Sequence, residues 1–251
     1  MTLKKTDLPA NCHLISFDRL DSTNEEAKKL ASGGAKSGTV VWAREQELGR
    51  GRYGRKWHSP YGNLYLSIIQ RPSCIPSDAP QLGFVTGVAL AETLLSISNI
   101  KIALKWPNDI MANGKKASGI LLESSINSKK GLEWIVIGVG LNIEKFPSDI
   151  ENSTSLYKEG AEVTVENVLI TFLQYFFNYV EKWFNNGFDP IRERWLSLSL
   201  KIGTDIKVRL PEDVIFGTFM GIDNRGSLLI ENNGEIKKID VGDIFPMVIA
   251  N

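Results

Sequence analysis

The sequence predicts an α+β chain in which a mixed β-sheet with helices is followed by a small all-β unit. Two observations carry that expectation. Through residues 22–199, short β-branched and apolar runs alternate with longer stretches of helical period. From Gly203 the character changes to short strands punctuated by Pro211-Glu212-Asp213, Asn224-Arg225-Gly226 and Asn232-Asn233-Gly234, as in a small barrel or sandwich. A length of 251 residues suits one large and one small folding unit, divided here as 1–200 and 201–251.

Taken in order, Ser22-x-x-Glu25 is a capping box that opens an amphipathic helix ending near Gly33-Gly34. Residues 39–43 (TVVWA) are β-branched and aromatic, the composition of a strand. Residues 44–62 carry glycine, arginine and proline without periodicity and predict a long loop, which inside a compact domain is usually functional. Residues 63–71 place Leu64, Leu66 and Ile68 on one face of a half-buried strand. Apolar residues on most faces of 79–98 predict a largely buried helix. Three strands follow at 101–106, 115–123 and 134–142, with Asn113-Gly114 as a hairpin turn between the first two. Helices are expected over 165–185 and 188–199, the second capped at Asp189-Pro190.

Composition removes several function classes. Lys+Arg and Asp+Glu both total 29, so the net charge is zero and a globally basic nucleic-acid binder is not suggested. No apolar run reaches the roughly 18 residues of a membrane span, and the N-terminus lacks the apolar core of a signal peptide. Cys12 and Cys74 form no C-x-x-C pair and read as reduced thiols of a cytoplasmic protein. The two histidines, His13 and His58, lie in no G-x-S-x-G elbow, and Cys12-His13 has no further ligands nearby for a metal.

The chemistry concentrates at residues 49–57, GRGRYGRKW. Gly49, Gly51 and Gly54 match G-x-G-x-x-G, but a dinucleotide fold needs that turn to open a helix, and His58-Ser59-Pro60-Tyr61-Gly62 cannot propagate one. A kinase loop would need downstream V-A-I-K and H-R-D motifs, which are missing. What remains is Arg50, Arg52, Arg55 and Lys56 on a glycine-rich backbone. Such a backbone approaches a ligand closely, and guanidinium forks suit carboxylates and phosphates. The competing reading is a solvated basic loop that touches RNA.

A second motif, KWPND at 105–109, follows a strand and presents Asn108 and Asp109 after Pro107. Lys116, Gly119-Ile120-Leu121-Leu122-Glu123 and Ile137-Gly138-Val139-Gly140-Leu141-Asn142 come next. Together with Ser22-Thr23-Asn24, Gln46 and the arginine loop, this ordered set resembles the biotin protein ligases. GIDNRGSLLIE at 221–231 is similar to that family's small terminal domain, and the resemblance spans roughly residues 17–246. It implies a class II synthetase-like catalytic domain with a C-terminal SH3-like barrel.

By position, the resemblance assigns Ser22, Thr23, Asn24, Gln46, Gly49, Arg50, Gly51, Arg52, Lys116 and Gly119 to biotin. It assigns Arg50, Arg52, Arg55, Trp57, Lys105, Asn108 and Asn142 to the nucleotide. Arg52, Lys116 and Asp109 become the catalytic candidates. Tyr53 departs from relatives that carry another arginine there. The implied substrates are biotin and ATP with Mg²⁺, no resident metal ligands are assigned, and the partner is a biotin carboxyl carrier protein, with a homodimer as a further expectation.

Two rival functions stay open at this point. A lipoate or octanoate ligase would share the general fold, though the R-R-x-S/T-G-G-G stretch of those relatives is absent. A nucleic-acid-binding module would use the basic loop without turning over ATP. The residues before Ser22 are too few for a DNA-reading domain, so no DNA or membrane partner is expected. The arginine loop is expected to be mobile without ligand, because four cations on a glycine-rich backbone repel one another.

Overall fold

A computed structural model describes residues 8–127, 131–210 and 212–246. A seven-stranded sheet runs in the order β1-β2-β3-β7-β6-β5-β4. Its strands are β1 (His13–Leu20), β2 (Thr39–Gln46), β3 (Leu64–Gln70), β4 (Ile102–Lys105), β5 (Asp109–Ala112), β6 (Lys115–Ile126) and β7 (Leu132–Leu141). Among the described strands of this sheet only β1 and β2 pair in parallel, and α1 (Thr23–Ser32) makes the crossover that a parallel pair requires. The other neighbours in this sheet are antiparallel.

The main core lies on one face, under α2 (Gln81–Ile97), α3 (Val165–Asn186) and α4 (Asp189–Leu198). The opposite face carries a smaller cluster beneath α1, from Ala27, Ala31, Val41, Ile69, Trp134 and Val136. Side chains alternate faces along a strand, so Val40 and Trp42 of β2 enter the main core while Val41 faces α1. β3 is therefore buried along its whole length, where one open face was expected. α1 covers that second face.

The structure adds two strands that local pattern did not show. β1 is a largely exposed edge strand without clean alternation. β5 arises because the chain folds back over the KWPND turn, with Lys105 opposite Asp109. Asn113-Gly114, both at positive φ, thus closes the β5–β6 hairpin and does not join 101–106 to 115–123. The capping box is half made: Ser22 Oγ accepts from Glu25 N at 3.5 Å, but the Glu25 carboxylate turns to Lys28 and Arg50. The cap of α4 is Phe188, with Asp189-Pro190 already in its first turn. The 76–97 stretch is long and apolar enough to cross a membrane by composition, yet it is mostly buried in this fold, α2 being a core helix.

The C-terminal domain is a five-stranded antiparallel sheet in the order β11-β10-β9-β8-β12. Its strands are β8 (Asp205–Arg209), β9 (Val214–Ile222), β10 (Leu228–Asn232), β11 (Glu235–Ile239) and β12 (Asp243–Pro246). Its apolar face joins the main core through Ile206, Phe219 and Leu228. Trp106 donates from Nε1 to the Gly226 carbonyl at 3.0 Å, tying the KWPND turn to the β9–β10 turn.

Candidate active site

On the α1 face, β6 and β7 lose their side chains. Gly119 pairs directly with Gly140, and Gly138 lies opposite Leu121. The result is a floor open enough for a cleft of about 670 Å³. The glycines are there for close approach: a Cβ on Gly138 would stand 2.2 Å from Asn24 Oδ1, and one on Gly140 2.4 Å from Trp57 Nε1. The Trp57 indole thus rests against Gly119 and Gly140.

One wall is the N-terminus of α1. Gln46 locks it, since Oε1 accepts from Thr23 N at 2.8 Å and Thr23 Oγ1 at 3.1 Å while Nε2 donates to Ser59 Oγ at 3.0 Å. Asn24 donates to Glu123 Oε2 at 2.8 Å and accepts from Ser67 Oγ at 2.5 Å. Glu123 also receives Lys28 Nζ at 2.8 Å and Arg50 Nη2 at 3.4 Å. Burial alone would raise the Glu123 carboxyl, but hydrogen bonds from Lys28 and Asn24, with the charges of Lys28 and Arg50, outweigh it and hold the group below its ordinary value.

The arginine loop forms the roof. It is folded through Gly51 N–Arg55 O and Trp57 N–Gly49 O hydrogen bonds of 2.7 and 2.8 Å. Carboxylates already answer three of its cations: Glu25 and Glu123 meet Arg50, and Asp243 meets Arg52 and Arg55. These pairs relieve the repulsion, on which the expectation of a mobile loop rests, at three of the four cations. Gly49 stands behind the cleft and not on it; a Cβ there would come 2.4 Å from Ser59 Oγ and 2.6 Å from the Trp57 carbonyl.

The far wall brings the remaining candidates together. Lys116 Nζ lies 2.5 Å from Asp109 Oδ1, an ion pair outside hydrogen-bond angle, and 5.6 Å from the Trp57 ring centre. Asn108 accepts from Arg52 Nη1 at 3.1 Å and donates to the Ile120 carbonyl at 2.7 Å. Lys105 sits over the Phe245 ring at 4.4 Å. Burial pulls its ammonium below the usual lysine range, while the charges of Asp109 and Asp243 oppose that pull. Asn142 is buried, donating to the Thr154 carbonyl at 3.0 Å, while its Oδ1 and the Trp57 Nε1 have no hydrogen-bond partner. A neutral acceptor and donor left unmatched at a cleft suit a heterocyclic ligand edge.

Ser22, Thr23, Asn24, Gln46, Arg50, Gly51, Arg52, Arg55, Trp57, Lys105, Asn108, Asp109, Lys116, Gly119 and Asn142 all line this one cleft. Sequence reasoning missed Glu123, Lys28 and Ser67, as well as Pro147, Ile150 and Asn152 on the rim. The rim had a usable signal, because 143–164 is a long stretch without periodicity. No cluster of three His, Cys, Asp or Glu that could hold a metal occurs among the described residues.

The profile of the Biotin/lipoate A/B protein ligase family matches residues 16–142, and that of the biotin protein ligase C-terminal domain matches 201–246. The bifunctional ligase/repressor BirA of Bacillus subtilis is 37% identical over 92% of this chain and 73% of its own length. The biotin–[acetyl-CoA-carboxylase] ligase of Paracoccus denitrificans is 36% identical over 90% of this chain and 98% of its own. The structure of biotin protein ligase from Aquifex aeolicus in complex with biotin and ATP is similar with a TM-score of 0.79 at 32% identity, covering 94% of this chain and 99% of that one. With both domains matched and the cleft residues in place, the chain belongs to the biotin protein ligase family.

Proposed function

We propose that this chain joins biotin to ATP as biotinyl-5′-AMP and then transfers the biotinyl group to a lysine of a biotin carboxyl carrier protein. The carrying observation is that Arg50, Arg52, Lys105 and Lys116 converge on one cleft beside a rigid polar corner and an unmatched Asn142 oxygen. The corner of Ser22, Thr23 and Gln46 suits the ureido ring, because groups already fixed by their own hydrogen bonds lose little freedom on binding. Asn142 Oδ1 suits the exocyclic amine of adenine, with Trp57 against the purine. Gly119 lets ligand and Trp57 come close to the strand.

In the first step a biotin carboxylate oxygen attacks the α-phosphorus of ATP, delivered as its magnesium complex, and the bond to pyrophosphate breaks. Negative charge gathers at that phosphorus, and Arg52 and Lys116 stabilise it where it forms. In the second step a neutral lysine amine attacks the acyl carbon and AMP leaves. The nitrogen must then lose a proton, and Asp109, a carboxylate at the far wall of the cleft, suits the roles of orienting the amine and accepting that proton. The arginine loop keeps water from the mixed anhydride.

The relatives described above are biotin ligases, which favours biotin over lipoate or octanoate. ATP–pyrophosphate exchange with each acid in turn tests this reading. Exchange should require biotin. Exchange supported equally well by lipoate, or by none of the three, would contradict it.

A further inference from the structure

Arg52 and Arg55 both reach out of the arginine loop to one carboxylate in the other domain. Asp243 opens β12. Its Oδ1 lies 3.2 Å from Arg52 Nη1 and its Oδ2 lies 3.3 Å from Arg55 Nη1, so each oxygen takes one guanidinium. Arg52 also donates to the Gly242 carbonyl at 3.4 Å and to Asn108 at 3.1 Å. Between the two arginines stands Tyr53, its ring centre 4.9 Å from one guanidinium carbon and 5.7 Å from the other. Tyr53 has φ 57, a conformation that residues with a side chain rarely adopt, so contacts must hold it there.

We propose that Asp243 is a positioning residue, a latch that fastens the arginine loop to the C-terminal sheet and so aims Arg52 into the cleft. Two guanidiniums that flank one ring repel each other, and a carboxylate shared by both offsets that repulsion. The side chains of Arg52 and Asp243 are 23% and 22% exposed, sheltered enough that water screens their attraction less than it would at the open surface. Among the described residues, Arg52 without the carboxylate keeps Asn108, a backbone carbonyl and Tyr53, and Arg55 loses its ion pair. The catalytic half of this inference rests on the ligase reading; the structural half does not.

The test compares wild type with Asp243→Asn and Asp243→Glu. In ligand-free protein, trypsin cleavage after Arg52 and Arg55 and amide exchange at Gly51 and Arg55 should be roughly tenfold faster in Asp243→Asn and near wild type in Asp243→Glu. The rate of biotin-dependent pyrophosphate exchange at saturating substrate should fall by a similar factor, while KM for biotin at the polar corner stays within about twofold. Equal loop exchange and cleavage in a folded Asp243→Asn overturns the latch. Should that variant fail to fold, wild type decides. Raising salt to about 1 M shortens screening to roughly 3 Å and should speed loop exchange, and no change overturns the latch. Loop exchange needs neither biotin nor ATP. A latch that behaves as expected in a wild type without biotin-dependent turnover would therefore sink the ligase reading alone.

Discussion

Lys116 sits where the glycine floor, the Trp57 ring and Asp109 meet, its ammonium 5.6 Å from the Trp57 ring centre. Replacing it with alanine removes charge without opening the core, since its side chain is 36% exposed. Lys116→Ala should slow adenylate formation by about two to three orders of magnitude with an unchanged circular-dichroism spectrum. A near-normal exchange rate would remove Lys116 from the mechanism. The proposed role of Asn142 is at the nucleotide instead. Asn142→Ala should raise KM for ATP about fivefold to tenfold and leave KM for biotin alone, as read from steady-state kinetics with each substrate varied. These residues were legible as candidates because motifs that are weak singly occur together in one order. The anionic partners Glu123 and Asp243 were not, because a carboxylate that meets an arginine 73 or 191 positions away leaves no local trace in sequence.

At the scale of elements, the cleft exists because β6 and β7 give up side chains on the face where α1 and the arginine loop arrive. Gly140→Ala inserts a methyl 2.4 Å from Trp57 Nε1, and the indole must move. That variant should stay folded but raise KM for ATP about tenfold, the scale of overpacking a tight contact. The α1 wall has its own pH signature. Glu123 is held below its ordinary value near 4.5, so its contribution to stability is complete above that value and disappears as pH falls through the folded-state value. The urea midpoint should therefore fall as pH drops below about 4.5, and fall less steeply in Glu123→Gln. Equal slopes would show that the α1 network carries no such linkage. Helices and buried strands were readable from their periods, and the Ser22 cap from its spacing. β1 and β5 were not: an exposed edge strand has no clean alternation, and a four-residue strand after a tight turn is too short to show a period.

At the scale of the whole molecule, the two sheets share one core, and the β9–β10 turn packs under α2. Gly226 is at φ +88, and a Cβ there would stand 2.4 Å from the Phe84 ring, itself packed edge-on against Phe188 and Trp195. Gly226→Ala should cost about 1–3 kcal/mol and lower Tm by several degrees in a single transition for both domains. Two separate transitions in wild type would contradict the shared core. The change of character near Gly203 announced the C-terminal sheet, but the docking that joins Trp106 to Gly226 and Asp243 to the arginine loop depends on contacts across more than a hundred residues.

The acid that this cleft activates and the group that receives it define the proposed reaction. Wild-type protein incubated with ATP, magnesium and an apo biotin carrier domain, with biotin, lipoate or octanoate in turn, gives a direct answer by mass spectrometry of the carrier. The expected result is one biotinyl group on one carrier lysine, one AMP released per carrier modified, and no comparable acylation from the other two acids. Lipoylation at an equal rate, or an unmodified carrier after incubation with biotin and ATP, would contradict it.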